Sequence, residues 1–133
     1  MTPKKVVFVV AGDLGFVCWL GLSLSSAGFH ALPAKRVSDA KRMIRDFSLH
    51  VDVLIIDPQL TGASKFAESL QAAPHHARII AATAGTDPEK VLADPPFELA
   101  KAMPRRSDQQ AAVDWVHTVE SQVEESLKPA LNF

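Results

Sequence analysis

The sequence predicts a three-layer α/β domain, a doubly wound parallel sheet of five strands covered by helices on both faces. Three observations lead there. Short apolar runs rich in valine and isoleucine alternate five times with stretches of helical character, and strands alternating with helices form parallel sheets through right-handed crossovers. The run Val53-Leu54-Ile55-Ile56 is apolar at every position rather than at every second one, as a central strand buried on both faces must be. Finally, the loops are short and no repeat or low-complexity linker divides the 133 residues, a length that suits one domain.

Val6 to Val10 follows a basic flank at Lys4 and Lys5 and reads as the first buried strand. Ala11-Gly12-Asp13 ends it, and Asp13 is placed to cap a helix running to about Ala27, which Gly28 stops. Phe29 to Leu32 is a short second strand ending at Pro33. Ser38 can cap a helix from about Asp39 to Leu49, with Ala40, Met43, Ile44 and Phe47 on its buried face. The central strand follows and stops on Asp57. After Gly62, Ala63 to Ala73 carries Phe66, Leu70 and Ala73 on one stripe and reads as a helix closed by Pro74.

Arg78 to Thr83 is the fourth strand, and Thr86-Asp87-Pro88-Glu89 starts a short helix through Leu92. Phe97 to Met103 is the weakest strand pattern, interrupted by Glu98 and Lys101. Ser107-Asp108-Gln109-Gln110 reads as a capping box for a final helix to about Ser126, with Ala112, Val116, Val119 and Val123 along its stripe. The domain is therefore expected over residues 1–127, and 128–133 as a frayed tail.

Composition narrows the function classes. A hydrophobic fraction of 47% with 22% charged residues belongs to a globular chain rather than a disordered one. The net charge of −1 gives no electrostatic reason for a nucleic-acid or membrane partner. A single cysteine, Cys18, excludes an internal disulfide and fits a cytoplasmic location, and there is no zinc-binding pattern. Leu14 to Ala34 carries no formal charge with His30 neutral, but its serines and Pro33 break it, so membrane insertion is not expected.

The chemistry converges on one rim. In a doubly wound sheet sites form at the carboxyl ends of the central strands, which gathers Ala11-Gly12-Asp13, Asp57 and Thr83, with Lys101 beside them if the strand order is the flavodoxin-like one. Val53 to Gly62 resembles the phosphoacceptor segment of bacterial response-regulator receiver domains. The likeness runs from Lys4 to about Glu125 and includes Ala27-Gly28-Phe29, Ile79-Ile80-Ala81-Ala82-Thr83-Ala84 and Ala100-Lys101-Ala102. It implies a flavodoxin-like (βα)5 fold, non-enzymatic signalling, and a histidine kinase, phosphotransfer protein or downstream regulator as partner. It also implies Asp57 as phosphoacceptor, Thr83 with Ala84 as the switch at the phosphoryl oxygens, Lys101 as the cation, and Mg²⁺ as cofactor.

Departures from that family are informative. Its usual acid pair after the first strand falls on Ala11 and Gly12. A hard cation would then rest on Asp57, the carbonyl of Gln59 and, through a backbone bend at Gly12, Asp13. Asp13 is either a helix cap or that substitute ligand, and Mg²⁺ binding is expected to be weak or absent. Ala102 stands where a proline commonly follows the lysine, Glu98 falls at the aromatic switch position, and the short interval from Thr83 to Lys101 implies a trimmed fourth helix.

Outside the rim, Val17, Cys18 and Leu22 are left outward if Phe16, Trp19, Leu20 and Leu24 face the sheet. That strip is expected to meet a partner or a second copy. Trp115 lies off the stripe of the last helix and is read as packing in the core or, as an interface anchor, as part of the partner surface. His75-His76 reads as a solvated loop. The reading is an atypical receiver-like domain regulating through protein contacts, with Asp57 a weak or unused phosphoacceptor. Two alternatives remain: an active receiver that holds Mg²⁺ with Asp13 and Asp57, and a flavodoxin-like module binding a small molecule, against which no Gly-rich phosphate loop is present.

Overall fold

A computed structural model describes residues 4–83 and 99–127. Within them five strands, β1 (Val6–Val10), β2 (His30–Ala34), β3 (Val53–Ile56), β4 (Arg78–Thr83) and β5 (Lys101–Pro104), form one sheet in the order β2-β1-β3-β4-β5. All neighbouring pairs are parallel. The helices are α1 (Leu14–Ser26), α2 (Val37–Phe47), α3 (Ala63–Gln71) and α4 (Gln109–Leu127). The fold is thus the expected doubly wound, flavodoxin-like one. The short helix expected over Thr86 to Leu92, Ala84, Phe97, Glu98 and the tail lie outside the described residues.

Strand side chains alternate between two apolar layers. Phe8, Val10, Leu54, Ile56 and Ile79 point to one face, where Val37 and Ala40 of α2 and Phe66, Ala67 and Leu70 of α3 cover them. Val7, Val9, Val53, Ile55, Ile80 and Ala82 point to the other, beneath Phe16, Val17, Leu20 and Leu24 of α1 and Ala111, Trp115 and Val119 of α4. Every residue of β3 is fully buried, because β1 and β4 flank it and helices cover both faces.

Several boundaries and faces differ from expectation. Pro33 sits inside β2 paired with Val9, which an edge strand tolerates because its outer side needs no donor. α2 begins at Val37, after an Arg36 whose side chain makes no cap bond, so Ser38 is not the cap. It ends one residue before Ser48, whose φ of 50° turns the chain left-handed, and Phe47 is 70% exposed rather than buried. α3 stops at Gln71, two residues short of Ala73.

The α1 stripe rotates to include Val17, with Trp19 half-buried at its flank, so Val17 is core and cannot belong to a partner surface. Cys18 and Leu22 are exposed as expected. Trp115 is fully buried and meets Phe16 edge-on at 5.8 Å between ring centroids, which corrects its assignment to the surface. The whole α4 stripe follows it, through Ala111, Trp115, Thr118, Val119 and Gln122, because the largest apolar surface gains most from burial. The α4 cap is Asp108, whose carboxylate accepts from the Ala111 amide at 2.8 Å, rather than Ser107. That bond and the neighbouring Arg106 hold the Asp108 carboxyl below the usual carboxylate range.

Candidate functional site

Asp57 follows β3 directly, and its amide donates to the carbonyl of Val10 at 3.0 Å. The last apolar residue of a doubly buried strand is thereby followed by a carboxylate at the carboxyl rim, the place the fold reserves for sites. One carboxylate oxygen, Oδ1, accepts from the amide of Gln59 at 3.0 Å. This closes a tight turn two residues on, a habit of aspartate. The other, Oδ2, lies 2.8 Å from Nη1 of Arg105, in a pair whose side chains are only 15% and 13% exposed.

Arg105 is itself held at three points. Its amide donates to the Thr83 carbonyl at 2.8 Å, and Nη1 reaches both the Ala82 carbonyl at 3.1 Å and Asp57. A planar guanidinium suits such multiple engagement better than an ammonium. Thr83 is buried, and its hydroxyl donates to the Met103 carbonyl at 3.2 Å, toward β5. Asp57, Thr83 and Arg105 therefore form one connected rim.

Lys101 is not part of it. It pairs with Ile80, three residues upstream of the Thr83–Pro104 pair, which puts it roughly 10 Å down the sheet at the amino end of β5. It is exposed there. The cation that reaches the rim is Arg105, which lies four residues further from Thr83 in sequence than Lys101 does. The overlooked signal was Pro104, a residue that marks the end of an edge strand, after which Arg105 is the first cation.

The other expected residues are arranged as follows. Ala11 is fully buried and its amide donates to Ala34, while Gly12 is exposed with open space where a side chain would begin. Asp13 caps α1, accepting from the Phe16 amide at 3.2 Å. A hard divalent cation needs several oxygen ligands from carboxylates and carbonyls. Here Asp57 has both oxygens engaged, Asp13 is committed to the helix, and no three acids, histidines or cysteines cluster suitably among the described residues. The donor set does not fit Mg²⁺.

At the opposite end of the sheet a second polar group has formed that the sequence did not announce. The Val51 amide donates to Nδ1 of His75 at 3.0 Å, so His75 is neutral and carries its proton on Nε2. His50 stacks on that ring at 5.6 Å, and its Nε2 lies 3.6 Å from Asp52 Oδ1. Asp52 Oδ2 accepts from the Val6 amide at 2.8 Å. Burial and then the charge of His50 lower the His75 pKa below its ordinary 6.5, with Asp52 opposing. His75 is therefore a structural acceptor rather than part of a solvated loop; His76 is exposed.

No protein-family model and no curated protein matches the chain. Solved structures do. The signal receiver domain of an HD domain-containing protein from Pseudomonas fluorescens Pf-5 superposes with a TM-score of 0.76 at 14% identity, covering 100% of this chain and 96% of that one. A CheY-like response regulator receiver domain protein from Methanospirillum hungatei JF-1 gives 0.76 at 12% identity, over 96% and 99% of the two chains. A putative response regulator from Chloroflexus aurantiacus J-10-fl gives 0.71 at 20% identity, over 92% and 99%. The fold is that of response-regulator receiver domains. Among the described residues no helix is long and apolar enough to cross a membrane.

Proposed function

We propose that this chain is an atypical response-regulator receiver, a non-enzymatic cytoplasmic module of two-component signalling that works through protein contacts. Asp57 is a weak or unused phosphoacceptor in this reading. The observation that carries it is the state of that carboxylate, whose oxygens are taken by the Gln59 amide and the Arg105 guanidinium. An acyl phosphate forms only when the transferring group's charge is neutralised and the attacking oxygen is aligned with it. Here Oδ2 would first have to leave a largely buried guanidinium, and no acid pair stands ready to bring a metal to the phosphoryl group.

The same rim supports a role for Arg105 as a built-in cation. It ties Asp57 to the ends of β4 and β5, and the Thr83 hydroxyl is already drawn toward β5. The surface above those strand ends is then held in one state whatever a kinase does, and a protein partner reads that state. Amide NMR spectra recorded during titration with Mg²⁺ and beryllofluoride test the proposal. The expected outcome is no saturable shift at Asp57, Gln59 or Thr83 at millimolar Mg²⁺. Shifts spreading from these residues would instead identify a working phosphoacceptor.

A further inference from the structure

Charge is segregated along this chain although its total is close to zero. Residues 35–47 hold Lys35, Arg36, Lys41, Arg42 and Arg45 against Asp39 and Asp46, whereas 109–127 hold Asp114, Glu120, Glu124 and Glu125 with no lysine or arginine. The first segment is the edge and body of α2, the second is α4. They lie on opposite faces of the sheet, α2 beside α3 and α4 beside α1. Within one molecule the two surfaces cannot meet.

Each surface also has the shape of half an interface. Between α2 and α3 run two grooves, of about 370 and 410 Å³, which share Lys41. Their floor includes Ile44 and Phe66, their walls carry Arg36 and Arg45, and among the described residues no acid lines either one. Among the described residues Arg45 is engaged with Asp46 at 3.2 Å, in an exposed pair that exchanges partners at little cost. Phe47, 70% exposed, stands at the end of the same helix. On α4 the outward side presents Val113, His117, Glu120 and Glu124, a ridge whose apolar start and acidic continuation are separated by one histidine and whose Val113, His117 and Glu120 also wall an open depression against Ser23 and Ser26 of α1. A ridge of that kind meets an apolar groove walled by cations with complementary charge, which steers association and sets its register.

We propose that copies of this chain associate head to tail, the α4 ridge of one lying in the α2–α3 groove of the next. Because the two surfaces differ, the contact is heterologous, and it extends rather than closing on a dimer. It does not depend on the rim chemistry of Asp57. It assigns a partner, a second copy, to a face the receiver reading leaves unassigned.

Sedimentation velocity at low and high salt tests this. The wild-type chain is expected to gain mass with concentration at low salt and lose that gain at high salt, as exposed charge pairs require. Lys41→Glu with Arg45→Glu destroys the groove, and Glu120→Gln with Glu124→Gln removes the charge of the ridge without making it complementary to the reversed groove. Each variant alone is expected to be monomeric, its self-affinity reduced at least about tenfold. Mixed, they retain one intact groove and one intact ridge, so they are expected to form a 1:1 complex and nothing larger. A zero-length carbodiimide crosslink in the wild type is expected to join Lys41 of one copy to Glu120 or Glu124 of another, which keeps the test independent of how the variants fold. A wild-type chain monomeric at low salt, a mixture that stays monomeric, or crosslinks joining other surfaces would each overturn the proposal.

Discussion

Strand β3 is flanked by an aspartate at each end, and the two are treated differently. Asp57 at the carboxyl end meets an arginine 2.8 Å away, in a largely buried pair. Asp52 at the amino end meets His50 at 3.6 Å and a backbone amide at 2.8 Å, with a second histidine stacked behind. A guanidinium stays charged throughout the working pH range. An imidazole changes charge near neutrality. The carboxyl rim is thus a permanent ion pair, whereas the amino rim holds His75, whose pKa is lowered by burial and then by His50, and the difference says which end of the sheet responds to pH.

The largest effect is expected from breaking the permanent pair. Arg105→Ala leaves Asp57 partly buried without its cation and the Ala82 carbonyl without a donor. The loss should be roughly 3 kcal/mol, the low end for an uncoupled buried pair because about a seventh of each side chain still reaches water. Urea unfolding measures it. Asp57→Asn in the Arg105→Ala background should cost little more, since the interaction is already gone. Full additivity of the two substitutions would mean that the pair is not coupled and that the rim is held by other bonds.

Next in size is the amino end. His75→Ala removes the acceptor of the Val51 amide, a buried group left unsatisfied, at about 2 kcal/mol. The pH dependence follows from the lowered His75 pKa. Above the ordinary value of 6.5 neither the folded nor the unfolded form is protonated and stability is complete. As pH falls through 6.5 the unfolded chain takes a proton that the folded chain resists, so stability drops until the lower folded pKa is reached. His50 and Asp52 face the ring, and Lys41 and Arg45 line the same groove, so added positive charge has little to offset it. The wild type and Arg105→Ala should share this slope as pH falls through and below 6.5, and His75→Ala should lose most of it. A slope unchanged in His75→Ala would assign the titration elsewhere.

A finer test separates the roles of Asp52. Asp52→Asn keeps an oxygen for the Val6 amide but removes the charge, so stability should change by only about 0.5–1 kcal/mol. The His75 pKa should fall further, because the one influence raising it has gone. Imidazole NMR titration reads this directly. A rise would show that the local field is dominated by groups other than Asp52.

How much of this was legible in the sequence follows from the kind of signal each part leaves. The strands were legible because valine and isoleucine runs have few other uses, and Asp57 because it ends the most apolar of them. The face of α4 was not, since Ala112-Val116-Val119-Val123 and Ala111-Trp115-Val119 are both helical stripes and only packing against Phe16 chooses between them. Val17 was misplaced for the same reason. Arg105 was hidden because a cation is assigned to a rim by strand register, and β5 offers only four residues from which to infer one. The histidine pair left no local signal at all, since His50 and His75 are brought together only by the crossover through α3.

The smallest effect is expected at Lys101, and it bears most directly on that register. An exposed lysine at the start of an edge strand, away from the rim, should tolerate Lys101→Ala within about 0.5 kcal/mol. The NMR shifts of the Asp57 carboxyl carbon and the Arg105 guanidinium should stay where they are. Bringing Lys101 level with Thr83 would need a slip of three residues, and an odd slip turns every side chain of β5 to the opposite face. Ala102, buried opposite Ala81, would change sides, as would Met103, which packs against the α1–α4 core. Two small apolar contacts are a modest barrier for so short a strand. A Lys101→Ala variant that moves the Asp57 carboxyl shift while Arg105→Ala does not would therefore reverse the assignment, give the rim an ammonium in place of a guanidinium, and remove the distinction between the two ends of β3.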